Sequence, residues 1–166
     1  MRRIFKLPPM ANRRRLVILL PGINTFSSLR TVMQKQFRLL IVDDQPRARQ
    51  GLSALLLIDF PQINIFEASN GLEALRQVKI VQPDAVVMDV LMPECDGIEA
   101  TRLIKAIYPQ IKIIFYSMYP DYKKAALSAG ADAFITKGEP SKTLIDTIGT
   151  LIHPNSDSIS NRIGEC

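Results

Sequence analysis

Along residues 38–153, short unbroken apolar runs alternate with longer stretches in which apolar residues return every three or four positions. The runs predict buried strands and the longer stretches predict helices with one inward face. Leu39-Leu40-Ile41-Val42 forms the core of a first strand over 38–43. A helix opens at Gln45-Pro46, proline being suited to the first helical position; Leu52, Leu55, Leu56 and Ile58 are its expected inner face, and Phe60-Pro61 stops it. Residues 62–68, Gln-Ile-Asn-Ile-Phe-Glu-Ala, alternate as a strand with one wetter face does, which suits a sheet edge. Asn70-Gly71 then starts a helix carrying Leu72, Leu75 and Val78.

Ala85-Val86-Val87-Met88 is uniformly apolar and reads as the central strand, covered on both faces. A helix follows from Asp96-Gly97, with Ile98, Thr101, Leu103, Ile104 and Ile107, and ends at Tyr108-Pro109. Ile111 to Tyr116 is a fourth strand, 121–129 a short helix closed by Gly130, and Asp132 to Thr136 a fifth strand. Pro140-Ser141 opens the last helix, whose inner residues are Leu144, Ile145, Ile148, Leu151 and Ile152. Short connections and right-handed crossovers then predict an α/β fold: a doubly wound, five-stranded parallel sheet with helices on both faces.

The polar residues that end these strands carry the chemistry. Asp43 and Asp44 follow the first strand, Asp89 the third, Ser117 the fourth and Lys137 the fifth. In a parallel sheet all of these fall on the carboxyl edge, where ligands bind. At ~4 Å and an effective dielectric near 20, each pair of like charges among the acids costs about 4 kcal/mol, so a cation is required. Carboxylates suit a hard ion such as Mg2+. With that ion and Lys137 on one side and the Ser117 hydroxyl on the other, a phosphoryl group beside Asp89 finds partners for its oxygens. Asp89 is the carboxylate placed to attack it, giving an aspartyl phosphate.

Charge divides the chain. Residues 1–38 hold nine lysines and arginines and no acid, whereas residues 39–166 hold twelve bases against sixteen acids. Residues 1–37 are therefore expected to be a basic, disordered extension, 38–153 the folded domain and 154–166 a frayed tail. Three readings of the extension compete: an arm for nucleic acid or a membrane surface, a targeting peptide, or sequence upstream of the true start. The last is favoured, with Met33 or Met10 as the start. Cys95 and Cys166 form no metal-binding pattern and no disulfide framework, and no apolar run is long enough to span a bilayer. A reducing, cytoplasmic location is the expectation.

The ordered set of Asp43-Asp44, Asp89 with Met92-Pro93 and Asp96-Gly97, Ser117, and Lys137 with Phe134 three residues before it resembles the response-regulator receiver domain of two-component signalling, a flavodoxin-like fold. The resemblance covers about residues 38–153. It implies a phosphoacceptor, not an enzyme, that takes a phosphoryl group from a sensor histidine kinase or phosphotransfer protein. It further implies Mg2+ held by Asp43, Asp44, Asp89 and the Leu91 carbonyl, with Ser117 and Phe134 as switch residues. A downstream protein would dock on the face made by helix 4, strand 5 and helix 5, near Tyr119, Tyr122, Lys123 and Lys124; the receiver itself is expected to bind neither nucleic acid nor membrane. Gln45 to Leu52 and Ala129 to Phe134 are similar to receivers that precede helix-turn-helix output domains. The sequence after the fifth helix is too short for such a module, so a stand-alone receiver or a fragment is expected.

Gly138 departs from the proline usual after the lysine. A pseudo-receiver, unphosphorylated and serving only as an interaction module, is the alternative that this glycine favours. An aspartyl-phosphate hydrolase would need a second acid where Leu91 stands, and a dinucleotide site would need glycines where Asp43-Asp44-Gln45-Pro46 stands. Taken singly, Asp43 and Asp44 read as helix-capping acids, Ser117 as a turn residue, Lys137 as a solvated lysine and Phe134 as core. His153, at a helix end, is expected to complement the dipole there. Leu91 and Tyr119 flank the route of an attacking water, and their bulk predicts a long-lived acyl phosphate; a half-life of seconds after phosphodonor removal would overturn this.

Overall fold

The computed structural model describes residues 36–153. The expectations for the amino-terminal extension and the carboxyl tail lie outside the described residues, except at Gln36 and Phe37. Those two already engage the fold: the Asn64 side-chain amide donates to Gln36 Oε1 at 2.9 Å, and the Asn64 backbone N–H donates to the Phe37 carbonyl at 2.9 Å.

Five strands, β1 (Arg38–Val42), β2 (Asn64–Ala68), β3 (Ala85–Met88), β4 (Lys112–Ser117) and β5 (Ala133–Thr136), form one parallel sheet in the order β2-β1-β3-β4-β5. Between them run α1 (Pro46–Asp59), α2 (Gly71–Val81), α3 (Gly97–Ile107), α4 (Lys123–Ser128) and, after β5, α5 (Ser141–Ile152). Successive strand residues point to opposite faces, so the core has two halves. Leu40, Val42, Val86, Met88, Phe115 and Phe134 pack with α2, α3 and α4 through Ala74, Val78, Ile98, Ile104 and Ala126. Leu39, Ile41, Val87, Ile114 and Ile135 pack with α1 and α5 through Leu56, Leu144 and Ile148. Each large side chain fully buried here contributes about 1.5–3 kcal/mol.

The helix starts are those the sequence signals. Asn70 and Asp96 are N-caps whose side chains accept from the N–H of Glu73 and Glu99, both at 2.8 Å. Such caps stabilise by about 1 kcal/mol each. Glu73 reaches back to the backbone and hydroxyl of Ser69, and the Ser69 hydroxyl is the chief reason its carboxyl is held below the usual range. Gly130 sits at φ +105°, the left-handed region that suits glycine.

Four expected inner-face residues lie elsewhere. Ile58 is 78% exposed, because it lies about 200° around the helix from Leu56, the residue of α1 that is fully covered. Leu72 is also exposed; the stripe that α2 buries is Gly71, Ala74 and Val78. Leu103 and Ile107 of α3 are likewise outside, the buried set there being Ile98, Ala100, Thr101 and Ile104. The helix expected over 121–129 is a 3-10 turn, Pro120–Tyr122, followed by α4.

Before β5, Asp132 accepts from Lys105 Nζ and Lys112 Nζ, each at 2.7 Å, and from the Ile113 N–H at 2.9 Å. Partial burial alone would raise its carboxyl, but these three donors outweigh it and hold the group below the ordinary range. Among the described residues, no helix is long and apolar enough to cross a membrane.

Candidate functional site: an acidic crevice at the switch point

The chain leaves β1 toward β2 on one side and then crosses to β3 on the other, so the strand order reverses between β1 and β3. At such a reversal the loops diverge and leave a crevice at the carboxyl edge. Asp43 follows β1 and Asp89 follows β3, so both stand on its rim. Asp43, Asp44 and Asp89 each offer a carboxylate oxygen within 4.8 Å of the others. Asp43 and Asp89 are only 6% and 7% exposed, whereas Asp44 is open to solvent.

Two buried carboxylates this close need a counter-charge, and Lys137 provides it. Its Nζ donates to Asp43 Oδ2 at 2.7 Å and to Asp89 Oδ2 at 2.8 Å. Burial acts to lower the lysine's pKa, yet the hydrogen bonds to Asp43 and Asp89 more than offset it and hold the ammonium above its ordinary value. The Tyr116 ring lies under the same nitrogen, 5.9 Å from its centroid. Lys137 is itself fixed at the backbone, its N–H donating to the Ser117 carbonyl at 2.9 Å. Gly138 does not prevent this reach. No cis peptide bond occurs among the described residues, and Gly138 has neither a positive φ nor a neighbour close enough to exclude a side chain.

The remaining carboxylate oxygens are held by backbone. Asp43 Oδ1 accepts from the Gln45 N–H at 2.8 Å, and Asp89 Oδ1 from the Val90 N–H at 2.7 Å. The N-cap position of α1 is Gln45, which makes no side-chain cap, so Asp43 and Asp44 are not N-cap residues of that helix. Behind Asp89, Gly97 donates its N–H to the Val90 carbonyl at 2.9 Å, and a Cβ at Gly97 would collide with the Asp89 carbonyl oxygen. A glycine is required there for α3 to start so close to the acid.

Ser117, at the end of β4, is completely buried, and its Oγ has no hydrogen-bond partner. A buried hydroxyl left in that state costs about 1–3 kcal/mol, and among the described residues Thr101 Oγ1 is in the same state. Phe134 is buried, its ring stacked on Phe115 with centroids 6.0 Å apart. Leu91 lies in the loop after β3 with its side chain exposed, and Tyr119 is exposed beyond β4, edge-to-face with Tyr122 at 6.4 Å. A cleft of about 300 Å³ opens beside Asp43 and Lys137, lined also by Arg47, Gly51, Leu52 and Tyr116.

The structure thus brings Asp43, Asp44, Asp89 and Lys137 together. Cys95 lacks the electropositive setting of a reactive thiol: burial first, then the Asp96 and Glu99 carboxylates, push its thiol up. Sequence reasoning passed over Arg49, whose Nη1 donates to the Asp43 carbonyl at 2.6 Å. One signal was available: α1 has no acid in its first turn and carries Arg47 and Arg49 there, against the preference of a helix N-terminus for negative charge.

An acidic switch-point crevice at the carboxyl edge of a sheet ordered in this way is the receiver architecture of two-component signalling. Comparison with known proteins agrees: residues 39–149 match the family described as response regulator receiver domain, and the chain belongs to that family. It is 34% identical over 113 residues to the response regulator protein VraR of Staphylococcus aureus, a match that takes in 67% of this chain and 54% of VraR. The chain accordingly spans about half the length of the curated relatives it matches. A two-component response regulator of the LuxR family from Aurantimonas superposes with a TM-score of 0.65 at 31% identity, over 71% of this chain and 86% of that one. Thermotoga maritima TrrA, solved in complex with Mg2+ and beryllofluoride, gives 0.64 at 29% identity over 70% and 99%. The first expectation, a receiver like those of regulators with output domains, is borne out.

Proposed function

We propose that this receiver accepts a phosphoryl group on Asp89, with Mg2+ bound by Asp43, Asp44 and Asp89, from a sensor histidine kinase or phosphotransfer protein. The observation that carries the proposal is the convergence of three carboxylates and the Lys137 ammonium on one crevice with a buried, unpartnered Ser117 hydroxyl nearby. All-oxygen donors at this spacing fit a hard divalent ion, and the Leu91 carbonyl is the further ligand the family pattern suggests. When bound, the ion supplies electrostatic stabilisation of charge on the transferring phosphoryl group.

The chain's own residues do the rest. Asp89 Oδ1 is fixed by the Val90 N–H and Oδ2 accepts from Lys137, so the carboxylate is oriented, and Oδ2 is the oxygen that attacks as the ammonium moves off it. The new bond joins a carboxylate oxygen to phosphorus while the donor's bond to phosphorus breaks, the electron pair leaving with the donor. Lys137 then exchanges a carboxylate partner for a phosphoryl oxygen, which needs only a short movement of a flexible side chain. Ser117 turns its hydroxyl onto the same group, and Phe134 adjusts behind it, so phosphorylation biases a two-state equilibrium. The face of α4, β5 and α5, with exposed Met118, Tyr119, Tyr122 and Leu127, is the surface offered to a downstream protein.

Incubation with Mg2+ and a small phosphodonor such as acetyl phosphate tests the proposal. One phosphoryl group of added mass supports it, and none, under conditions where a known receiver is labelled, leaves the pseudo-receiver reading in its place. A second expectation concerns Ser117. Ser117→Ala removes an unsatisfied buried hydroxyl, so thermal or urea unfolding should show stability unchanged or raised by up to ~1 kcal/mol. The same variant should lose most of the amide-shift change that beryllofluoride induces along β4 and α4. A fall in stability of several kcal/mol would mean the hydroxyl is already satisfied and is not waiting for a ligand.

A further inference from the structure

Arg49 stands where a helix N-terminus disfavours a cation, yet it is 14% exposed at the side chain and is used at both ends of its planar fork. Its Nη1 donates to the Asp43 carbonyl at 2.6 Å, and its Nε to Glu67 Oε2 at 3.1 Å. Glu67 lies on the edge strand β2, paired in register with Ile41, and its other oxygen accepts from the Ser53 hydroxyl at 3.2 Å. The guanidinium is therefore anchored to the sheet before it touches the acidic turn.

The carbonyl it grips belongs to the peptide between Asp43 and Asp44. The other side of Asp43 is fixed as well, since its N–H donates to the Ala68 carbonyl at 3.2 Å. Asp44 differs: among the described residues no hydrogen bond or ion pair reaches its carboxylate. The plane of the 43–44 peptide is thus the main restraint on where that carboxylate can go. We infer that Arg49, anchored by Glu67, is a positioning residue that holds the Asp43–Asp44 peptide so that both carboxylates address the same divalent ion. This inference rests on the Mg2+-dependent reading given above and adds a residue to it.

Charge and geometry make opposite predictions here. As a mere cation near the site, Arg49 repels Mg2+, so its removal tightens binding; as a positioning residue, its removal loosens binding. Outer-shell partners of metal ligands typically govern about 10–100-fold in affinity. The test is the Mg2+ dissociation constant of the full chain, read by amide-shift titration at fixed ionic strength with no phosphodonor present. Arg49→Met and Arg49→Lys should each weaken Mg2+ about tenfold or more, because lysine keeps the charge but not the planar fork that spans the carbonyl and Glu67. Glu67→Gln, which loosens the anchor alone, should weaken it by a smaller factor.

Mg2+ affinity equal to or tighter than wild type in folded Arg49→Met overturns the inference. So does an equal drop in melting temperature with and without Mg2+ at unchanged affinity, the mark of an arginine that serves the fold only. Should Arg49→Met not fold, unaltered affinity in both Arg49→Lys and Glu67→Gln overturns it equally. Absence of Mg2+ binding in the wild type would instead remove the underlying reading and the inference with it.

Discussion

Asp89→Asn is expected to abolish phosphoryl uptake completely while leaving the protein folded. An amide has the shape of the carboxylate and still accepts from the Val90 N–H through its oxygen, but it is not a nucleophile toward phosphorus. Stability is expected to change little, for two effects oppose each other. The variant loses a charge-assisted hydrogen bond to Lys137, of about 1.5–3 kcal/mol, and in return it relieves like-charge repulsion against Asp43 and Asp44, which the Lys137 ammonium already partly screens. Intact mass after treatment with Mg2+ and acetyl phosphate checks the first part, and urea unfolding checks the second. Equal labelling of variant and wild type would move the acceptor to another residue.

Lys137→Ala has the largest expected effect on the fold itself. In the absence of divalent ions the ammonium is the cation that both Asp43 and Asp89 contact. Removing one partner of a buried ionic cluster leaves charge uncompensated, so the ion-free variant should lose about 3 kcal/mol of unfolding free energy. Added Mg2+ should restore most of that, and should bind the variant more tightly than it binds wild type, because no ammonium competes for the carboxylates. Denaturant unfolding with chelator and with Mg2+ measures both; equal sensitivity to Mg2+ in the two proteins would contradict the exchange of lysine for metal.

The pH dependence carries the same sign. The lysine's pKa is raised by folding, so its contribution is complete below the ordinary lysine value of 10.5 and is lost as pH climbs through the higher folded value. Lys137→Ala should lack that alkaline loss.

Strand identity was readable because burial on both faces forces unbroken apolar runs, as in Leu39 to Val42 and Ala85 to Met88. The site residues were readable because each interrupts such a run at its end, where packing alone gives no reason for a charge. Helix faces were less legible. In α1 and α2 leucines and isoleucines occur on several sides, and small residues such as Ala74 and Gly71, the latter against Cys95 and Ala100, take buried positions, so size is a poor guide to burial.

Contacts between side chain and backbone leave still less trace. Lys137 meets Asp43 across 94 positions of sequence and Asp89 across 48, and only the placement of their strands foretells the meeting. The grip of Arg49 on a carbonyl has no residue type to announce it, because every residue has a carbonyl. The unpaired state of Ser117 is visible only once its neighbours are in place.

The order of strands separates holding from moving. The three acids hang from β1 and β3, each flanked by strands on both sides, whereas Ser117 and Lys137 hang from β4 and β5, and β5 has a neighbour on one side only. A pull on the hydroxyl or the ammonium is therefore resisted least where the sheet runs out. In the proposed mechanism, displacement on phosphorylation would travel toward that free margin and away from the three acids, so the domain would report that it has been charged without loosening its hold on what charged it.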